Sequence, residues 1–348
     1  MERKVSIYLG TFQRRYGVKR ALEIAKNIVG VDAVDFTLSH YYGSREGKRG
    51  ELSNFAYEGG REAVIEYFSE IREYADSLGI KIVQTHGRGT GIFNDPIEDP
   101  LCLIDGAYDC LATKILGAKH CVMHAPPSYK LVGVSEEEQY ELHYKMFSSL
   151  APAAAENGVK IALETGGNSG RNYEIFGLFA HADHFIRASE RFINNKDFKD
   201  LFCYCVDTGH SNMAAHHEGE PTVPDLVRRL GSAVEVLHIN DNEGKTDMHA
   251  TPMHVSHRLM GNLDVWDLMR SLDEIGYKGY YNLELGFNLY GKNFAIEEAI
   301  FAVKAMKNLL QTHYGEKQDG FIDDTEYLSE DFKRIQEAAR LKKLDSKK

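Results

Sequence analysis

The chain has 348 residues, 43% of them hydrophobic, and a formal net charge of -11 from 41 basic against 52 acidic side chains. That is enough apolar material for a sizeable core, and the acidic balance argues against a nucleic-acid partner, whose recognition rests on a basic footprint. No run approaches the roughly 18 apolar residues of a membrane span, no apolar leader precedes the first strand-like segment, and five cysteines (102, 110, 121, 203 and 205), mostly within apolar segments, read as reduced side chains of a cytoplasmic protein.

From the N-terminus, short apolar runs alternate with amphipathic stretches. Residues 5–9 read as a strand and 18–29 as a helix; 33–38 is followed by helix-period 61–78, 80–84 by 104–116, and 121–124 by 136–157. The second half repeats the alternation: 159–164 then 182–193, 202–207 then 224–230, 234–239 then 265–275, and 280–285 then 295–310. Gly79 and Gly158 stand where a helix hands over to a strand, which is C-cap punctuation. Eight strand units, each followed by a helix, predict a parallel sheet, and count and length favour a closed (β/α)8 barrel over a doubly wound one. The barrel is expected over residues 1–312. Residues 313–348 form a charged, partly helical C-terminal extension, with Phe332, Ile335 and Ala339 at helical spacing.

A barrel places function at the C-terminal ends of its strands. The third strand ends on His86 and the fourth on His124; the fifth ends on Glu164, the sixth on Asp207, the seventh on His238 and the eighth on Glu284. Six successive apolar strands thus finish on a histidine or a carboxylate. Carboxylates gathered in this way repel one another and lose hydration, so something must compensate them. A divalent cation does so, and the mixed oxygen and imidazole set suits Mn²⁺, Mg²⁺, Co²⁺ or Zn²⁺. The segment HINDNEGKTDMH, residues 238–249, is then where the seventh strand delivers a ligand and the loop after it supports the site. Asp247 and His249 lie in that loop.

ALETGG, CVDTGHSN, LHINDN and the later run ending in YYNLEL, in this order along the alternating strands, resemble the sugar phosphate isomerase/epimerase group of xylose isomerase-like TIM barrels. The resemblance covers about residues 5–312. It implies one metal ion, Mn²⁺ first, held by Glu164, Asp207, His238 and Glu284. It also implies that His210 of the DTGH motif contacts substrate and that the two glutamates double as acid and base. Ketose 3-epimerases carry an arginine shortly after the strand-seven histidine; here His238-Ile-Asn-Asp-Asn-Glu-Gly has none, which puts that specificity in doubt.

Two other resemblances compete. Endonuclease IV, an abasic-site nuclease on the same barrel, binds three zinc ions through nine ligands. Each has a counterpart here: His86, His124, Glu164, Asp207, His210, His238, Asp247, His249 and Glu284. The aromatic that helps that nuclease open DNA is missing from His86-Gly-Arg-Gly, and the acidic total argues the same way. Catalytic subunits of bacterial C-glycoside-cleaving enzymes are similar as well; the chemistry is kept, but the outcome is elimination from a 3-oxo-glycoside, with a small partner subunit.

The sequence therefore leads to a metal-dependent isomerase or epimerase of a sugar or sugar-like carbonyl substrate, with lyase chemistry as the alternative. Glu164 and Glu284, with His210 and His124, are the expected catalytic groups, working through a metal-stabilised enediolate. His86, His124, His210, Asp247 and His249 are expected to face substrate. The partner is a small molecule rather than nucleic acid or membrane, and self-association stays open.

Overall fold

The computed structural model describes residues 3–38, 54–87, 91–126, 128–168, 173–252, 263–286 and 294–311. Tyr41 and Tyr42 (candidates to stack on a sugar ring), Arg171 (a candidate phosphate ligand), His254 and His257 (candidate substrate contacts) and the charged extension lie outside the described residues. Eight strands run β1 (Lys4–Tyr8), β2 (Ala33–Thr37), β3 (Lys81–His86), β4 (His120–Met123), β5 (Lys160–Glu164), β6 (Phe202–Asp207), β7 (Val234–His238) and β8 (Tyr280–Leu283). They pair in parallel in the order β7-β6-β5-β4-β3-β2-β1-β8. The remaining gap closes through a parallel bridge between Ile239 and Leu283. There the Ile239 N–H donates to Asn282 O at 2.7 Å and the Glu284 N–H to Ile239 O at 3.1 Å. The expected (β/α)8 barrel is the fold.

Both faces of each strand are covered, so the apolar runs are nearly continuous. In β2 the alternation still shows which side is which. Phe36 points outward, edge-on to Phe68 of the helix Gly60–Leu78 at 6.3 Å, while Asp35 points into the barrel toward Gln84, His238 and Asn282. Val122, Ala162, Cys203, Cys205 and Val236 form a buried cluster, so the 203/205 pair serves as small core hydrophobes. All five cysteines are buried and none is in a disulfide.

The helices form where local chemistry favours them. Ser135 caps the helix Glu136–Asn157, its side chain accepting from the Glu138 N–H, and three glutamates fill the first turn. Gly79 and Gly158 end their helices at φ 64°, a left-handed conformation that costs glycine nothing. Other boundaries depart from expectation. The third-strand crossover helix starts at Glu98 rather than 104, because Asp95 Oδ1 accepts from the Ile97 and Glu98 N–H groups at 2.8 Å and Pro100 fits a first turn that lacks intrahelical acceptors. Segment 18–29 splits into the helix Val18–Glu23 and the π-helix Ile24–Val29. A short helix, Thr208–Ala214, follows β6 directly. Among the described residues, no helix is long and apolar enough to cross a membrane.

Candidate metal centre

β5, β6, β7 and β8 deliver Glu164, Asp207, His238 and Glu284 to the C-terminal mouth of the barrel, all four of them buried. The centre is His238. Its Nδ1 lies 2.9 Å from Glu164 Oε1 and 3.0 Å from Glu284 Oε2, while its Nε2 donates to Asp35 Oδ2 at 3.0 Å. His86, Glu164, His238 and Glu284 each offer a ligand atom within 4.8 Å of the others. Asp207 joins Glu164 and His210 in one such group, and His249 and Glu284 in another. No single group among the described residues holds all four of the expected ligands.

Asp207 is held from two sides. It caps the helix Thr208–Ala214, with Oδ1 accepting from the His210 N–H at 2.6 Å. Its Oδ2 accepts from Asn240 Nδ2 at 2.9 Å. Asn240 can approach because residue 209 is glycine: a Cβ there would lie 1.9 Å from Asn240 Oδ1. The buried HINDN turn is thus built to place His238 and Asp207. Asn242 continues it, donating to Gly209 O and accepting from Asn212 Nδ2.

The five remaining candidates also converge. His124 Nε2 lies 3.0 Å from Glu164 Oε2 and 3.3 Å from His86 Nε2, and the His86 ring stacks on His238 at 5.2 Å. His210 Nε2 and His249 Nε2 approach the two oxygens of Asp247 at 3.5 and 3.1 Å, and these three residues form a ligand group of their own. Tautomers are fixed consistently. His86, His210 and His249 each place Nδ1 against a backbone carbonyl, of Gly87, Thr165 and Glu284 respectively, which turns Nε2 into the site. His249 does this from left-handed backbone, φ 48°, which costs a non-glycine residue about 1 kcal/mol and is characteristic of functional loops.

Charge in the cluster is finely set. Burial pushes Asp207 up to about 7, against His210 and helped by Glu284 and Glu164. Burial also opposes ionisation of Glu164, but His124 and His238 outweigh it and hold that carboxyl at about 2. His249 is raised to about 10, burial being overcome by its hydrogen bond to Asp247 and by that carboxylate's charge. His124 is pushed by burial down to about 4, against the pull of the Glu164 carboxylate. Protons on the histidines balance the carboxylates here, and a divalent cation does the same by replacing them. Glu164 Oε2, Glu284 Oε2 and Asp247 Oδ1 are buried and meet imidazole nitrogens at 3.0, 3.0 and 3.1 Å, without an aligned hydrogen bond among the described residues. Buried anionic oxygens without an aligned donor, crowded against inward-facing imidazole nitrogens, fit a divalent metal.

All nine of these side chains stand out in the sequence, but the groups that hold them do not. Asp35 and Asn240 are such groups. So is Thr165, whose carbonyl orients His210 and whose hydroxyl accepts from the Asp207 N–H. Tyr8 also borders the site, edge-on to His86 at 5.8 Å, with its hydroxyl pushed by burial up to about 12. A carboxylate inside the strand AVDFT was the available signal for Asp35. His217 lies apart from the cluster, stacked on Phe176 at 3.6 Å.

A profile of the xylose isomerase-like TIM barrel family matches residues 107–305. No curated protein matches the chain in sequence. Among solved structures, a D-tagatose 3-epimerase-like protein superposes with a TM-score of 0.63 at 18% identity, over 88% of this chain and 97% of that one. The 3-keto-D-glucoside 4-epimerase of E. coli gives 0.62 at 15%, over 88% and 100%. The IolI protein with a bound zinc atom gives 0.61 at 16%, over 88% and 97%. At such identities the likeness is one of fold.

Proposed function

The chain belongs to the xylose isomerase-like TIM barrel family, and from that premise we propose that it is a divalent-metal-dependent isomerase or epimerase of a sugar-like carbonyl substrate. One observation carries the reading. Two buried glutamates share a single imidazole nitrogen, Glu164 Oε1 and Glu284 Oε2 lying 2.9 and 3.0 Å from His238 Nδ1. The second oxygen of each is thereby left to hold a proton. Structural neighbours named for sugar epimerases, and one named for its zinc, support it.

Glu164, Asp207, His238 and Glu284 would hold the cation, Mn²⁺ foremost, which would supply Lewis-acid polarisation of a carbonyl and its neighbouring hydroxyl and so acidify the C–H of the hydroxyl-bearing carbon. Glu164 Oε2 and Glu284 Oε1 are the groups that remove and return the proton. His86 Nε2, 3.8 and 3.5 Å from them, is placed to pass it between the two. His124 and His210 hold substrate oxygens, with Asp247 and His249 behind His210. Return to the opposite face gives epimerisation, return to the neighbouring carbon gives isomerisation, and loss of a β-substituent gives the lyase outcome. Protein loaded with Mn²⁺ in D₂O should exchange the α-proton of at least one member of a panel of ketoses, inosose and 3-oxo-glycosides. Metal-loaded protein inert toward every member, or never-chelated protein with no divalent metal and no Mn²⁺ affinity, would overturn the reading.

A second reading rests on the separate His210–Asp247–His249 group. With His86 and His124 it offers ligands for further cations, as a polynuclear hydrolase requires. Elemental analysis separates the two. About one catalytic metal per chain, and no binding of an abasic duplex at ~150 mM salt where weak contacts are screened, fits the isomerase; near three metals with duplex incision fits the hydrolase.

A further inference from the structure

Among the four tautomer-fixed histidines of the cluster, three place a ring nitrogen against a backbone carbonyl. His238 alone uses a side-chain carboxylate, and through the opposite nitrogen: Nε2 donates to Asp35 Oδ2, and Nδ1 is the one turned to the glutamates. We propose that Asp35 is the positioning residue of the metal centre, fixing the orientation and tautomer of His238 and strengthening Nδ1 as a donor.

Asp35 lies in the barrel interior, fully buried, on a strand that supplies no candidate ligand. Its Oδ2 accepts three N–H groups, from His238, from Gln84 Nε2 at 2.9 Å and from Asn282 Nδ2 at 3.1 Å. Asn282 is held in turn by Ser6 Oγ at 2.8 Å. Four residues from β1, β2, β3 and β8 thus make a polar layer beneath His238. Asp35 Oδ1 accepts nothing among the described residues. A buried carboxylate whose hydrogen-bond donors among the described residues are two neutral amides and one imidazole is expensive to build for stability alone. It is explained where it tunes a metal ligand: a carboxylate on the far nitrogen raises the basicity of the coordinating one, and loss of such a partner weakens metal affinity about 10- to 100-fold.

The proposal rests on the metal reading above, and its test keeps the two apart. Wild type, Asp35→Asn and Gln84→Leu are stripped, and their Mn²⁺ affinity and Co²⁺ absorption spectra are recorded. Asp35→Asn keeps the shape and removes the charge, so it should bind Mn²⁺ about 10- to 100-fold more weakly and shift the Co²⁺ bands. Gln84→Leu removes a different donor from the same carboxylate and should leave both readouts close to wild type. Wild-type affinity and spectrum in Asp35→Asn, or an equal loss in Gln84→Leu, would overturn the proposal while leaving the metal reading intact. Absence of metal binding by wild type would overturn both. Should Asp35→Asn not fold, the ¹⁵N-histidine spectrum of Zn²⁺-loaded wild type decides instead. A slowly exchanging Nε2 proton on His238 is expected, and an Nδ1 proton there would sink the idea.

Discussion

His143 offers a test of how burial acts on a titratable group far from any partner. It lies on the helix Glu136–Asn157, 1% exposed, with its ring 4.8 Å from those of Phe147 and Phe179 and 5.9 Å from that of Phe192. Neither ring nitrogen has a hydrogen-bond partner among the described residues. Burial, with a smaller push from Arg191, holds the imidazole down at about 3. The folded state therefore keeps it neutral while the unfolded chain takes up a proton near pH 6.5. Because the folded value is depressed, stability is fully present above ~6.5 and is lost as pH falls below it, at about 1.4 kcal/mol per unit. Between pH 7 and pH 5 the loss from this one group is about 2 kcal/mol. His143→Leu removes the titration. It also removes two unpaired nitrogens, whose burial costs about 1–3 kcal/mol each, against about 1 kcal/mol for the change of shape. The variant should be at least as stable as wild type at pH 7 and gain about 2 kcal/mol on it by pH 5. Urea unfolding at fixed metal concentration across that range measures the gap. Parallel pH profiles, with the gap constant, would refute the reasoning.

Three further outcomes follow from the proposed metal centre. Glu284→Gln should keep the fold, bind metal more weakly because an anionic ligand becomes a neutral amide, and lose exchange of the substrate α-proton with D₂O; wild-type turnover would remove Glu284 from the chemistry. His210→Asn should keep the metal on the other ligands while raising KM or lowering kcat, and loss of the metal would place His210 in the coordination sphere. Gly209→Ala forces a methyl into Asn240 Oδ1 and so loosens the donor that holds Asp207. It should cost about 1–3 kcal/mol of stability and weaken metal binding, and unchanged Mn²⁺ affinity would show that Asn240 does not position Asp207.

The barrel could be read from the sequence because its signals are local. Eight apolar runs separated by helix-period stretches say parallel sheet whatever the tertiary detail, and a helix such as Glu136–Asn157 carries its own cap in Ser135 and its own stop in Gly158. The candidate ligands could be read for the same reason. A His, Asp or Glu directly after an apolar strand has one direction to go in a barrel, toward the mouth, so Glu164, Asp207, His238 and Glu284 announce themselves one strand at a time. Boundaries were less legible where an end depends on a side chain outside the periodic run, as with Asp95 ahead of the helix at Glu98.

What tertiary structure alone decided is which polar groups meet. Asp35 and His238 are 203 residues apart, and Asn282 stands 247 residues from Asp35. In a strand covered on both faces, the two-residue period cannot tell the barrel interior from the helix layer, so AVDFT does not say which way its aspartate points. The HINDN turn reads in sequence as a loop that supports the site, but nothing in it says that Asn240, Asp241 and Asn242 are buried, as they are. Asn240 and Asn242 donate to Asp207 and to the Gly209 carbonyl, an approach that the missing Cβ of Gly209 permits, while Asp241 Oδ1 accepts from the Asn242 and Leu263 N–H groups. Burial of polar groups is possible only where partners from distant strands arrive together, and that arrival is a property of the closed barrel, not of any segment within it.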